Sequence, residues 1–308
     1  YIIAEKKYPI IVRKGFFLLP QFTFAQFDSA NIKPDVIAIP NLSAMDAKHQ
    51  NPIILNWIKK HYSENTKMLS ICDGALTSAA TGIYNGKPLT AHSSDYKDIK
   101  NQFAKPNWVT NLSVTKSENL FSTAGVSNAV EGSLSVIKEI FGEETMLSVQ
   151  KNINYPHSTP KIEHQSTAIN FGNKITIGKK VLFKKNRKIG MLLLNGINEF
   201  ELAAIMDTYN RTFPASIESY AVGVQMIKSK YGLNLIPTGD LQKDKLDELH
   251  IIENPSFFET HQPNLEAVEI VKYNEQQKQY IINICLNRIG GQYGKNYENI
   301  VKLLLDYN

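Results

Sequence analysis

The sequence is poor in the residues that build disulfide or metal frameworks. Its 308 residues include only two cysteines, Cys72 and Cys285, far apart and outside any CxxC spacing. That pattern excludes a stapled scaffold, and free thiols are expected. The seven histidines are scattered, none paired with another His or with Cys at ligand spacing, so no metal site is expected. No cofactor is expected either. No apolar run approaches the roughly 20 residues that cross a bilayer, so no membrane segment is expected in this chain. A strong charge of one sign is also lacking: the net charge is +5. The only dense basic run, KKNRK (Lys184–Lys188), reads as a solvated linker rather than an anion or nucleic-acid surface. With no helix-turn-helix pattern and no aromatic–basic interleaving, no nucleic-acid partner is expected.

The remaining composition, 43% hydrophobic and 20% charged, belongs to a globular protein, and the length suits one large domain or two ordinary ones. The chain opens YIIAEKKYPI, strand-like and without Met, signal or helix cap. This reads as a chain whose natural beginning is missing. Localisation leans cytoplasmic, subject to whatever signal or anchor lay upstream.

Short apolar runs alternate with helical patterns, which argues for α/β. Strands are predicted at Tyr1–Ala4, Phe16–Leu19, Asp35–Pro40, Met68–Cys72 and Leu120–Ser122. Helices are predicted at Pro52–Tyr62, Ala75–Gly82, Val130–Ile140 and Glu144–Ile153. Pro156–Lys188 is polar and broken by Pro and Gly, and its ITIGKKVLF segment reads as hairpin-like. From Lys188 the pattern restarts with a strand, a turn and a helix (KIGMLLLNGINEFELAAIMDTYN). SKYGLNLIPTGDL then echoes RKGFFLLPQFTF, and DELHIIENP echoes PDVIAIPNL. An internal duplication is therefore expected, with domains at 1–156 and 188–308 and a linker at 157–187. The first copy lacks the opening strand and helix, and the second lacks the cysteine turn. Cys285 sits at helical spacing with Ile281 and Ile289 and is expected as a buried core thiol.

The chemistry concentrates in SICDGALTSAATG, Ser70–Gly82. A strand turning sharply into a helix can strain its central residue, here Cys72, and expose the side chain. The helix N-terminus stabilises a thiolate and offers amides to an oxyanion. The structural alternative is a small buried residue at a crowded turn. Gly74 would let the backbone pass close by. Asp73 would set the thiol pKa or simply cap the helix.

SICDGALTSAATGIYNGKPLTAH resembles the nucleophile-elbow region of the DJ-1/PfpI superfamily, in the branch of isocyanide hydratase and the amidotransferase-like domains of AraC-type regulators. FSTAGVSNAVEGSLSVIKEIFGEETMLSVQKNINYP resembles that branch's closing segment, and IGMLLLNGINEFELAAIMDTYN its opening strand and helix. The resemblance implies a flavodoxin-like three-layer α/β sandwich with a mostly parallel sheet, internally duplicated. It implies Cys72 as reactive thiol, His92 as proton shuttle, and a pocket rim of Ser122, Thr123 and Gly125 beside Gly74. Family members also bring an acidic side chain from the turn after the first strand. The first copy has no such segment, so the acid is expected upstream, while Glu199 and Glu201 occupy the equivalent stretch of the second copy.

Three functions follow as expectations. One is a cysteine-dependent hydratase, hydrolase or glyoxalase-type enzyme acting on a small molecule. The second is a non-catalytic ligand-sensing or dimerisation module, and the third a redox role for Cys72. Domains of this kind commonly pair, so a homodimer is the expected assembly.

Overall fold

A computed structural model describes residues 1–12, 15–42, 46–252, 267–274 and 278–307. The chain opens with strands β1 (Ile3–Ala4), β2 (Ile10–Val12), β3 (Phe16–Leu19) and β4 (Phe22–Thr23). Helix α1 (Phe24–Ser29) follows, started by a reciprocal capping box between Thr23 and Gln26. Next come β5 (Val36–Ile39), α2 (Pro52–His61), β6 (Lys67–Ile71), α3 (Gly74–Thr81), β7 (Pro88–Leu89), α4 (Tyr96–Gln102) and β8 (Asn107–Trp108). Then follow β9 (Val114–Ser117), β10 (Leu120–Thr123), α5 (Ala129–Phe141), α6 (Glu143–Asn152) and α7 (Phe171–Phe183). The remainder is β11 (Lys188–Leu192), α8 (Glu199–Asn210), β12 (Ser216–Tyr220), β13 (Ile227–Lys228), β14 (Asn234–Pro237), β15 (Glu248–Ile252), β16 (Glu269–Tyr273), α9 (Ile281–Tyr293) and α10 (Lys295–Leu305).

The chain divides into two compact units, but not at the boundaries the sequence pattern suggests. Residues 31–174 join 302–308 in one unit, and 1–30 join 175–301 in the other. The reason is strand pairing: β3 is hydrogen-bonded antiparallel to β14, with Phe16–Leu19 opposite Asn234–Pro237. Gly15 also packs where a side chain would strike Met206. The cuts at 1–156 and 188–308 therefore do not describe the compact bodies. The duplicated pattern includes Arg13, Lys14 and Glu253–Pro255, which lie outside the described residues.

The unit containing Cys72 is built on the sheet order β5–β6–β10–β9, parallel except for β9. Alternation along β6 sends Met68 to one face and Leu69 to the other. Met68 joins Ile37, Ile39, Leu76 and Ile58 beneath α2 and α3. Leu69 joins Phe121 and Val136 beneath α5. Both faces are covered, which gives three layers. The wholly buried Tyr84 satisfies its hydroxyl by donating to the Phe121 carbonyl at 2.6 Å.

In the other unit β12–β11–β15–β16 are all parallel, and the first two strands exchange places in the flavodoxin-like order. A separate antiparallel sheet runs β13–β14–β3–β2. The fold is thus α/β and flavodoxin-like. The expected hairpin at ITIGKKVLF is helix α7 instead. Asn170 and Asn173 cap its start by exchanging side-chain and backbone bonds at 2.9 Å. Lys180 then reaches inward to donate to the Thr212 carbonyl at 2.6 Å. The asparagine cap and the inward lysine override the β-branched residues that read as a strand.

A polar cluster that sequence reasoning missed lies inside this second unit. Glu248, buried at the start of β15, accepts from Arg288 at 2.7 Å and Arg187 at 3.2 Å. His250 shares a 2.8 Å bond with the Tyr273 hydroxyl. Burial raises the Glu248 carboxyl, but His250 and the Arg288 guanidinium outweigh it and hold its pKa down at about 2. The folded pKa is depressed, so this contribution is present above the ordinary value of 4.5 and is lost as pH falls toward 2. Its size is about 3 kcal/mol. Acid titration followed by circular dichroism should show stability falling through that window. Arg288→Ala should cost about 3 kcal/mol at neutral pH, because it strips a buried carboxylate of its partner.

Candidate active site

The β6–α3 junction has the geometry of a nucleophile elbow. Cys72 has φ 56°, in the left-handed region that costs a non-glycine residue about 1 kcal/mol or more. Its surroundings hold it there. Its N–H donates to the Thr123 carbonyl at 3.2 Å, and its own carbonyl accepts from Ala75 N–H at 3.1 Å. The next residue but one must be glycine: a Cβ on Gly74 would stand 2.2 Å from the Ile39 carbonyl oxygen and 2.9 Å from that of Pro40. The small residues of α3 follow from the same crowding, since Ala75, Ser78 and Ala79 are all buried against the sheet. Cys72 sits at the carboxyl ends of parallel strands, where open α/β sheets bind ligands. It is 5% exposed.

The other predicted residues fall out differently. Asp73 stands at the helix N-cap but makes no capping bond with its side chain; its Oδ2 accepts from Asn41 Nδ2 at 3.3 Å. His92 is buried, and its bonds are local. Its Nδ1 accepts the Ser94 N–H at 3.2 Å, so Nε2 carries the proton and donates to the Leu304 carbonyl at 3.3 Å. Asp95 lies 3.5 Å from Nδ1. Both ring nitrogens are thus engaged, Nε2 by the 302–308 segment. Ser122 does not form a rim: its hydroxyl pairs with Thr115 at 2.6 Å and accepts Thr90 N–H, deep in the sheet. Thr123 contributes its carbonyl to Cys72, while its Oγ1 is buried without a hydrogen-bond partner. Gly125 makes room for the chain at Leu305 and Asp306, since its Cβ would stand 2.1 Å from that of Asp306.

That segment was invisible to sequence reasoning. Asp306 Oδ1 accepts from His164 Nε2 at 2.9 Å and from Ser93 Oγ at 3.2 Å. Ser127 Oγ donates to the Leu305 carbonyl at 2.9 Å. These partners are separated by well over a hundred residues, so no local pattern announces them. Glu199, one of the two acids in the second copy, serves its own unit, where Oε1 accepts from Ser229 Oγ and from Tyr231 N–H at 2.7 Å. Cys285 is wholly buried in α9, and burial pushes its thiol up to about 12, which makes it inert at neutral pH. A groove of about 1030 Å³ in the same unit, between the loops at 221–225 and 236–242, contains no nucleophilic thiol.

Two glycine substitutions should separate the elbow from ordinary helix. Gly74→Ala should lower stability by about 2 kcal/mol or more, because carbonyl oxygens cannot yield. Gly178→Ala, in α7 with nothing within 4 Å of its Cβ, should raise stability by about 0.5 kcal/mol. Thermal melts of the two variants check both signs.

Residues 1–139 match the model of the DJ-1/PfpI family. Isonitrile hydratase from Pseudomonas putida is 23% identical over 160 residues, spanning 52% of this chain and 67% of that protein. Protein dj-1beta from Drosophila melanogaster is 26% identical over 137 residues, spanning 44% of this chain and 71% of that protein. Among solved structures, Drosophila melanogaster DJ-1beta aligns at a TM-score of 0.40 and 25% identity, over 46% of this chain and 74% of that one. A ThiJ/PfpI family protein from Pseudomonas syringae aligns at a TM-score of 0.43 and 22% identity, over 52% and 64%. Over residues 1–139 the chain is similar to the DJ-1/PfpI family, and the cysteine elbow lies within that stretch.

Proposed function

We propose that Cys72 is the nucleophile of a hydratase or hydrolase acting on a small electrophilic molecule. The observation that carries this reading is the positive φ of Cys72 at the strand-to-helix turn. A protein accepts such strain where presenting the side chain matters. The α3 N-terminus favours the thiolate, and burial keeps bulk water from it.

The similarity to isonitrile hydratase supplies a balanced reaction to test. The thiolate sulfur bonds to the terminal carbon of an isonitrile, and that carbon takes up a proton to give a thioimidate. Water adds to the same carbon, the C–S bond breaks, and an N-substituted formamide leaves with the thiol regenerated. The sum is isonitrile plus water. With His92 bonded to Ser94 and Leu304, water and Asp73 are the groups of this reading that move the proton.

A second reading, a ligand-binding module without turnover, is favoured by one feature: both His92 ring nitrogens bond to backbone groups, the Ser94 N–H and the Leu304 carbonyl. A single assay separates them. With cyclohexyl isonitrile as probe, the native chain should release formamide, and Cys72→Ser should reduce that release by about a hundredfold or more. Turnover undiminished in Cys72→Ser refutes the nucleophile. Binding of the probe with no formamide from the native chain supports the module.

A further inference from the structure

Helix α7 presents an apolar stripe to solvent instead of to the core. At 100° per residue, Phe171, Ile175, Gly178 and Leu182 fall on one face of the helix, with Lys174 and Lys179 flanking it on either side. Lys180 falls on the opposite face, and that face is the anchored one. Its Nζ donates to the carbonyls of Thr212 and Phe213 and stands 4.8 Å from the Tyr293 ring centre. The stripe's large side chains are exposed: Phe171 77%, Leu182 76% and Ile175 43%. Soluble surfaces seldom gather large apolar side chains this way without a partner.

The charge around the stripe indicates what that partner is. Between His164 and Asn198 the sequence contains no Asp or Glu. Besides Lys180, two of its cations are spoken for on the protein: Lys185 pairs with Asp247 at 2.6 Å, and Arg187 with Glu248 and Glu269. Lys174 and Lys179, on either side of the apolar face, remain exposed. A second copy of this chain would bring the same lysines against one another. A surface that takes phenylalanine and leucine side chains and carries negative charge meets both demands.

We propose that the outward face of α7 docks on an anionic bilayer surface, with Phe171, Ile175 and Leu182 entering the headgroup boundary and the flanking lysines facing acidic lipids. The helix has 13 residues, too few to span, so it would lie in the plane of the interface.

Sedimentation of the full chain with vesicles tests this. Vesicles of phosphatidylcholine with about 30% phosphatidylglycerol should bind the chain roughly tenfold better than phosphatidylcholine alone, and the difference should shrink in high salt. The double variant Phe171→Ser with Leu182→Ser should lose about tenfold in binding, as should Lys174→Glu with Lys179→Glu. Unchanged circular dichroism would show that these exposed positions leave the fold intact. No preference for anionic vesicles in low salt overturns the proposal. So does binding that both double variants retain. A concentration-dependent dimer that the serine variant abolishes, without vesicle binding, would instead assign the face to a second copy. None of these outcomes depends on turnover at Cys72.

Discussion

The site rests on a backbone approach that admits no side chain. Gly74 brings the start of α3 against the carbonyl oxygens of Ile39 and Pro40, so the helix enters the sheet at a depth that forces the preceding turn. Cys72 absorbs the turn with φ 56°, and two backbone bonds, to Thr123 and from Ala75, keep it there. Strain of about 1–3 kcal/mol persists only where surrounding structure over-determines it. Here the surroundings are a helix of buried small residues and a parallel strand pair in fixed register. The position of the sulfur is a consequence of packing in the whole sheet edge.

Around this elbow the polar groups are tied to one another. Leu304, Leu305 and Asp306 take bonds from His92, Ser127, Ser93 and His164, and Gly125 leaves the space they occupy. His92 thereby acquires a defined tautomer, with its proton on Nε2. Cys72 is tied to the end of β10 through Thr123. Asp73, held by Asn41, is the carboxylate next to it in the chain.

Much of the elbow was legible because its determinants are local. A strand of apolar residues, a Cys, a Gly two positions on and a run of Ala, Ser and Thr specify a crowded turn before any partner is known. The core strand at Asp35–Pro40, the helix placing Cys285 and the α5–α6 pair were readable for the same reason, a clear period over many residues. What escaped is non-local. His92 sits 20 residues after Cys72 in a strand-like stretch, yet its bonds run to Leu304, over two hundred residues away. Ser122 and Thr123 alternate across a strand, so a hydroxyl taken for a rim belongs to the sheet interior. The unit boundaries depend on β3 pairing with β14, which no local pattern encodes. In α7, β-branched residues read as a hairpin, while asparagine capping and one inward lysine decide for helix.

The central claim is that packing presents an ionisable sulfur at position 72 and leaves the sulfur at position 285 inert. The pH dependence of iodoacetamide alkylation, read at each cysteine by mass spectrometry, tests it most directly. Half-maximal reaction of Cys72 well below the free-thiol reference of about 8.5, with Cys285 unmodified in the folded chain, is the predicted result. A Cys72 midpoint at or above that reference, or equal modification of both cysteines, would contradict it.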